Sequence, residues 1–411
     1  MEGNIAWVLI STALVLFMTP GLAFFYGGMV RAKNFLAMLM QNFFAMGLLA
    51  VIWALVGYSI AFGHFGDGGW FGGFGHLGLH GVGITDAGLH LGIPDILFAA
   101  FQMTFAIITP ALITGSLADR LKFSSYAVFI GVWLVVIYAP VAHWVFGGGW
   151  IAKMGALDFA GGAVVHINAG AAALAALLLV GPRRGHGKEP MPPHALPWTL
   201  LGTGILWFGW FGFNAGSALA ANGVAAQALM NTILAPAAAM LGWLLIERIK
   251  GKHVTTLGAA SGAVAGMVAI TPCAGFVAVL PAMLIGFCAG LLCYLALSLK
   301  ERFELDDALD VLAVHLVGGL FGSIVLGLFA DKAINKAVTH QGLLVHGGTP
   351  TLLVDQFIAA GAVFAFSFVG SLVIAKVIQL TMGLRVDQDA EDVGLDQALH
   401  AETAYSYDSR I

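Results

Sequence analysis

The sequence predicts an all-α integral membrane protein with eleven membrane-spanning helices. Of its 411 residues, 59% are hydrophobic and 10% are charged, whereas soluble domains are about 45–50% apolar and about 25% charged. A chain that faces lipid does not need to cover its surface with charge. Apolar stretches of about 20 residues, the length that a helix needs to cross a bilayer, recur along the whole chain. Its basic residues also alternate between successive loops.

Eleven apolar stretches are separated by short polar or glycine-rich breaks. The first stretch lacks a basic leader and a small-residue cleavage site, so we expect it to be retained as a span and not removed as a signal peptide. The predicted spans are 5–29, 36–62, 95–117, 124–145, 163–181, 197–217, 224–247, 256–272, 277–299, 311–330 and 352–383.

The distribution of Lys and Arg predicts the orientation of these spans. Twelve basic residues lie in one alternating set of loops and three in the other, and the richer set is expected in the cytoplasm. The loop after the first span belongs to the richer set, so the N-terminus is expected outside. Because the number of spans is odd, the C-terminus is then expected inside. The twelve are Arg31, Lys33, Arg120, Lys122, Arg183, Arg184, Lys188, Arg248, Lys250, Lys252, Lys300 and Arg302, and the three are Lys153, Lys332 and Lys336.

Two segments outside the spans stand out by composition. Residues 63–92 are rich in glycine and contain four histidines, which predicts a flexible outer loop. Metal binding at His76 and His80, four residues apart, is the alternative for this loop. The acidic segment after Leu384 is either a solvated end of the chain or a docking element.

An internal repeat relates two spans. The segments 158–170 and 307–319 both fit the pattern D-x6-V-H-x3-G. They occupy the fifth and tenth spans, so the chain divides into halves of five spans at about 5–181 and 197–330, followed by a last helix at 352–383. Because five is odd, the two halves must insert in opposite directions, as in transporters built from inverted repeats.

The repeat places two histidines in the membrane interior. His166 and His315 each follow an aspartate by eight residues, or about 12 Å along a helix. The hydrocarbon core is about 30 Å thick, so both imidazoles are predicted near its midplane. Ionisable residues there indicate a pathway or relay. A histidine that merely bonds to a neighbouring helix is the alternative, but two matched imidazoles can form a polar line and relay a proton.

Several function classes are excluded. The net charge of -4 does not provide the basic stripe of a nucleic-acid-binding protein. The three cysteines lie in apolar stretches, which argues against a disulfide framework. No nucleophile with its base, metal-ligand set or cofactor motif is recognisable, so we expect neither an enzyme nor a metal or cofactor site.

Four longer strings carry a resemblance to a known family. They are 25–34 (FYGGMVRAKN), 155–166 (GALDFAGGAVVH), 207–217 (WFGWFGFNAGS) and 310–315 (DVLAVH). With them, nearly the whole chain resembles the ammonium transporter/Rhesus family, on its ammonium transporter branch. The resemblance implies a multi-pass homotrimer of the cytoplasmic membrane with one ammonium pore in each subunit. It also implies a channel domain at 1–383 and a cytoplasmic regulatory tail at 384–411.

The resemblance assigns a role to individual positions of the pore. His166 and His315 match the paired pore histidines, and Phe105 and Phe213 match the phenylalanines that close its outer mouth. The remaining matches are Ser217, which accepts a hydrogen bond from ammonium, Asp158, which stabilises the outer site from behind, and the pore-lining or near-pore residues Trp210 and Thr271.

One position departs from the family pattern. A tryptophan commonly precedes the triple glycine at the outer site, whereas Phe146 precedes Gly147 here. Tryptophan presents the best face for a cation. The outer site is therefore expected to be weaker unless Trp144 compensates.

The expected function is ammonium transport. Ammonium would bind outside, lose its proton near Phe105 and Phe213, and pass as NH3 along the two histidines, with or without a separate proton relay. A sensor that acts through a bound signalling partner and a Rhesus-like channel for NH3 or CO2 are the alternatives. Residues 393–396 and 400–405 resemble the family's tail, which implies docking of a trimeric P-II type nitrogen-regulatory protein.

Overall fold

The computed structural model describes residues 1–405 of the chain. Within them the protein is all-helical, and the only β-type pairing is an isolated bridge between Leu121 and Arg385. Helices form at each of the eleven predicted places. They are α1 (Glu2–Met29), α2 (Ala32–Phe62), α3 (Asp95–Leu117), α4 (Phe123–Met154, interrupted at 146–149), α5 (Gly162–Val180), α6 (Leu196–Trp210), α7 (Gly223–Ile249), α8 (Thr256–Ile270), α9 (Val279–Arg302), α10 (Leu312–Phe329) and α11 (Thr351–Thr381).

Over residues 1–405, nine of these helices are long and apolar enough to cross a membrane. The two others, α6 and α8, have 15 residues each. The regular α-helix α6 ends at Trp210, and the chain continues from there as a π-helical turn, Phe211–Ala215. The molecule is thus a multi-pass membrane protein.

Short π-helical turns interrupt the regular helices. Such turns are rare and are found frequently at functional sites. Three of them, Gly162–Ile167, Phe211–Ala215 and Leu312–Val317, carry His166, Phe213 and His315. The periodicity of an apolar sequence does not reveal this change of helix type, so the sequence predicted regular helices here.

Close packing of the helices depends on glycine. Helix α1 packs along α6 and α3, α7 packs against α8 and α9, and α11 packs against α5. At the contact of α1 with α6, a Cβ atom on Gly202 would lie 2.2 Å from the backbone nitrogen of Phe25. The two backbones can therefore approach only because position 202 has no side chain.

The last position of the repeated motif has the same role where α5 meets α10. A Cβ on Gly170 would lie 2.6–2.8 Å from Cβ, Cα and N of Leu316, next to His315. Reciprocally, a Cβ on Gly319 would lie 2.9 Å from Cβ of His166. The glycine of each repeat thus makes room for the histidine-bearing turn of the other.

The loop 63–92, predicted to be an outer loop, is attached to the helices at several points. The N–H groups of Gly66 and Gly68 donate to the carbonyls of Gly147 and Gly148, over 2.7 and 3.0 Å. The Nδ1 atom of His76 lies 2.8 Å from the backbone carbonyl of His80, and residues 1–405 contain no group of three metal-ligating side chains. The prediction of a flexible loop missed these anchoring contacts.

The acidic tail folds back onto the ends of the helices as α12 (Gln388–Val393) and α13 (Leu395–His400). The carboxylate of Asp396 accepts the N–H groups of Leu36 and Ala37, at 3.0 and 2.8 Å, where α2 begins. The hydroxyl of Tyr405 lies 3.0 Å from Nε2 of His194. As far as Tyr405, the tail is therefore a packed element and not a solvated end; residues 406–411 lie outside the described residues.

Candidate functional site

The two histidines of the repeat meet in the interior of the protein. Their Nδ1 atoms are 3.2 Å apart, and their ring centroids are 5.3 Å apart with 24° between the planes. Both residues are buried. One Nδ1 must donate and the other accept, so in the neutral pair one Nε2 carries a proton and the other a lone pair. The neutral pair thus presents one Nε2 hydrogen-bond donor and one Nε2 hydrogen-bond acceptor.

Aspartates hold both histidine-bearing turns in place. Both carboxylate oxygens of Asp158 accept backbone N–H groups, four in all, from Gly161, Gly162, Ala163 and Val164. These are the unpaired donors at the start of α5, which a carboxylate satisfies well. In the second repeat, Asp307 accepts the N–H of Leu312 at 2.7 Å and the hydroxyl of Ser116 at 2.5 Å.

A narrow apolar chamber adjoins the histidines. Its volume is about 10 Å³, which is room for about one water-sized molecule. Both imidazoles line it, with walls from Met18, Leu22, Phe25, Ile108, Leu112, Val165, Leu206, Trp210, Phe213 and Val264. The chamber admits a small neutral molecule but provides no hydration shell for an ion.

Trp210 fixes one wall of this chamber. Its ring stacks on His166, with the centroids 5.6 Å apart. Its Nε1 donates to the hydroxyl of Thr271 over 2.9 Å, and that hydroxyl donates to the carbonyl of Met267. Thr271 does not line the chamber, so its contribution is to hold the indole of Trp210 in position.

Two phenylalanines separate the chamber from a second cavity. The rings of Phe105 and Phe213 are in contact, with centroids 4.5 Å apart and 51° between their planes. Phe213 lines the chamber and Phe105 lines a larger cavity on the opposite side of the pair. Both rings are almost fully buried, so a solute must displace them to pass.

The larger cavity lies on the loop side of these phenylalanines and has a volume of about 220 Å³. Half of its twelve lining residues are phenylalanines, and two of the predicted outer-site residues, Phe146 and Ser217, are among the twelve. The other lining residues are Phe65, Leu91, Phe98, Phe101, Gln102, Phe105, Val145, Phe159, Ala160 and Leu219.

One polar group of this cavity, the hydroxyl of Ser217, keeps its acceptor lone pairs available. The hydroxyl of Ser217 donates its hydrogen to the carbonyl of Phe213 over 2.8 Å, so its lone pairs remain for an N–H donor. Asp158 does not line the cavity, although Phe159 and Ala160 beside it do. Its four backbone bonds place it behind the cavity wall.

Sequence reasoning missed some lining residues and left one compensating role open. Gln102 is a polar residue within an apolar stretch, a signal that would have identified it, whereas Phe65 lies in the loop predicted to be flexible. Trp144, the alternative offered for the departure at Phe146, does not line the cavity. Its indole N–H donates to the carbonyl of Trp70, and its ring packs 4.7 Å from Phe366.

The site as a whole combines an aromatic outer cavity, a closed aromatic pair and a narrow chamber edged by two imidazoles. Aromatic faces and hydroxyl lone pairs bind a small cation with N–H groups. A narrow, mostly apolar chamber disfavours a full charge more than a neutral molecule that can hydrogen-bond to imidazole.

Comparison with known proteins decides the family. The model of the Ammonium Transporter Family matches residues 6–405. The chain belongs to this family. It is 49% identical to the ammonium transporter of Mycobacterium tuberculosis, over 98% of this chain and 90% of that protein. It is 46% identical to ammonium transporter Amt1 of Archaeoglobus fulgidus, over 98% and 100%.

Solved structures of ammonium transporter family members have the same fold. The crystal structure of Candida albicans Mep2 superposes with a TM-score of 0.88 at 34% identity, covering 95% of this chain and 87% of that one. A structure described as a sensor Amt protein superposes with a TM-score of 0.89 at 28% identity, covering 97% and 98%. The protein is therefore an ammonium transporter, and family membership points away from an enzyme.

Proposed function

We propose that the outer cavity recruits NH4+ and that the inner chamber conducts NH3. Recruitment rests on the aromatic lining and on the lone pairs of Ser217, since a small cation with four N–H donors can use both. Cation–π attraction grows as water is removed from the ion, and the partly enclosed cavity provides that environment.

The phenylalanine pair is the point where the ion loses its proton. Beyond Phe105 and Phe213 the chamber is narrow and mostly apolar, so carrying a full charge inward is unfavourable. Deprotonation removes that penalty. The proton either returns to the outside or moves inward by a separate relay.

The contact of His166 with His315 is the single observation that carries this mechanism. The pair supplies hydrogen-bonding groups to NH3 within the narrow chamber. Two positive charges cannot share an Nδ1–Nδ1 contact of 3.2 Å, so the pair holds one added proton at most. It can therefore pass on a proton but does not provide a standing anionic site for metal cations.

The finer topology belongs to the same proposal. Eleven spans, an inverted five-plus-five repeat, an outer N-terminus and an inner C-terminus follow from the loop charges and from the odd number of spans per half. The reciprocal packing of Gly170 and Gly319 supports the equivalence of the two halves. A homotrimer in the cytoplasmic membrane is proposed from family membership.

We also propose that the tail, 384–411, contributes to docking a P-II type nitrogen-regulatory protein on the cytoplasmic face. The folded surface of α12 and α13 supports this role, because a partner can bind a packed element without first ordering it. If deleting the residues after Leu384 leaves capture of a purified P-II protein unchanged, the tail has no such role. The sensor alternative is retained because a sensor Amt protein is among the structural neighbours.

The outer site is tested by removing one acceptor. In proteoliposomes, Ser217→Ala should raise the ammonium concentration for half-maximal transport about tenfold, since hydrogen bonds to charged groups contribute about 1.5–3 kcal/mol. Ser298→Ala, which removes an exposed hydroxyl bonded to the carbonyl of Leu295, is the matched control. An unchanged half-saturating concentration for Ser217→Ala would contradict recruitment at this cavity.

A further inference from the structure

The outer loop adds an aromatic wall to the recruitment cavity. Phe65 lines this cavity together with Phe146, although the two are far apart in sequence. Its side chain is 42% exposed, so part of it faces the open mouth. The ring stacks at 6.4 Å on Phe62, which is fully buried and in turn contacts Phe98 at 4.9 Å. A buried aromatic row therefore supports the ring from behind.

The backbone fixes the loop beside Phe146. The chain directly after Phe65 pairs with the chain directly after Phe146, through the bonds from Gly66 to Gly147 and from Gly68 to Gly148. A Cβ on Gly148 would lie 2.4 Å from Cα of Gly66, so the two segments touch. This pairing brings Phe65 and Phe146 to the same cavity.

A carboxylate–imidazole contact adds a second attachment. Oδ1 of Asp67 lies 3.3 Å from Nε2 of His143, which is fully buried. Nδ1 of the same ring lies 2.9 Å from the carbonyl of Ala61 and must donate to it.

Other groups around this contact keep Asp67 ionised. The N–H of Gly69 donates to the carboxylate over 2.8 Å. That hydrogen bond, opposed by desolvation and aided by His143, lowers the pKa of Asp67. His64 lies on the other side of the carboxylate, at 3.8 Å. Asp67 thus holds the loop between two imidazoles, one buried and one exposed.

We propose that Phe65 is a cation-contacting wall of the recruitment cavity and that the Asp67–His143 contact positions it there. The ligand is a small ammonium-type cation, so this inference rests on the proposed function. The inference also bears on position 146, where the family commonly has a tryptophan. Phe146 offers a cation a weaker π face than tryptophan does, and a second phenylalanine face from the loop offsets that loss. Asp67 and His143 are positioning residues that act through Phe65.

The first test compares aromatic with aliphatic side chains at position 65. Phe65→Leu keeps an apolar side chain but removes the π face, and it should raise the half-saturating ammonium concentration about two- to fivefold, with the maximal rate unchanged. Phe65→Trp should lower that concentration. Phe71→Leu is the matched control, because Phe71 is 48% exposed on the same loop and does not line the cavity.

The second test separates positioning from direct charge attraction. Asp67→Ala should raise the half-saturating concentration in the native chain and have little further effect in the Phe65→Leu background. An equal effect in both backgrounds, weakening with salt, would mean that the Asp67 charge attracts the cation itself and would overturn the positioning role.

The outcomes distinguish this inference from the function on which it rests. If Phe65→Leu has the half-saturating concentration of the native chain while Phe146→Leu and Ser217→Ala raise it, the role proposed for Phe65 is wrong and the proposed recruitment site stands. If none of the three changes the half-saturating concentration, the recruitment site itself is wrong. Each variant is first checked for its native elution volume in detergent, so that misfolded protein is not scored.

Discussion

The two copies of the repeat have the same geometry at their histidines and different surroundings at their aspartates. His166 and His315 both lie in six-residue π-helical turns, and each turn packs against the glycine of the other copy. Asp158, however, is satisfied only by backbone N–H groups, whereas Asp307 bonds to Ser116 and lies beside the ion pair of Lys300 and Asp310.

This difference bears on the proposed recruitment of ammonium. The carboxylate of Asp158 has no cationic side chain among its hydrogen-bond partners in the described chain, and the next two residues, Phe159 and Ala160, line the larger cavity. In the other copy, Lys300 offsets the charge around Asp307. Symmetry is thus kept at the histidines, where the proposal places NH3, and broken at the aspartates, one of which lies behind the proposed recruitment site.

The largest expected effect comes from removing the charge of each aspartate in turn. In Asp158→Asn, the side-chain NH2 group replaces one carboxylate oxygen and faces two backbone N–H donors. Several charge-assisted hydrogen bonds of about 1.5–3 kcal/mol each are therefore weakened or lost. Ammonium uptake into proteoliposomes should fall at least tenfold. Asp307→Asn keeps an acceptor for Leu312 or Ser116 and should reduce uptake by less than threefold. Equal losses would show that the two copies do not differ as described.

The crossing of α5 and α10 is expected to be sensitive in both copies. Gly170→Ala and Gly319→Ala place a Cβ within 3 Å of the other repeat, and such overpacking costs about 1–3 kcal/mol. Thermal unfolding in detergent should show lower midpoints for both variants. The control is Gly47→Ala in α2, where a Cβ meets nothing within 4 Å. Replacing a glycine within a helix by alanine reduces backbone freedom and should stabilise the fold by about 0.5–1 kcal/mol. If Gly47→Ala lowered the unfolding midpoint while Gly170→Ala and Gly319→Ala left it unchanged, this packing would be contradicted.

Much of the central site was predictable because its signals are local. The histidine spacing, the aspartate eight residues earlier and the closing glycine can each be read from one short segment. The parts that were missed depend on contacts between distant segments. Phe65 joins the cavity through the pairing of Gly66 with Gly147, and Trp144 turns away from it toward Phe366. The π-helical turns likewise leave no periodic signal in a uniformly apolar stretch.

The smallest expected effect concerns the helix ends that the loop charges assign to the cytoplasm. Burial opposes ionisation of Asp306, but hydrogen bonds and charge from Arg183, with Arg120, lower its pKa from 3.8 to about 2. Such a depressed pKa stabilises the fold above about pH 4 by about 2 kcal/mol and loses that contribution as the pH falls toward 2.

Asp306→Asn should therefore lower the unfolding midpoint at neutral pH, and its difference from the native chain should shrink as the pH is lowered from about 5 to about 3. A constant difference across this range would mean that charge is not what Asp306 contributes. Lys188→Ala, a change in an exposed loop residue, serves as the control.

The central claim is that two touching imidazoles make an apolar conduit passable for ammonia. The most direct test is the current on a solid-supported membrane after an ammonium jump, or uptake of labelled methylammonium if transport is electrically silent, in the native chain and in a His166→Leu, His315→Leu double variant. Both proteins are reconstituted at matched density and oligomeric state. The double variant should lose at least nine-tenths of the transport. Unchanged transport with both rings removed would contradict it.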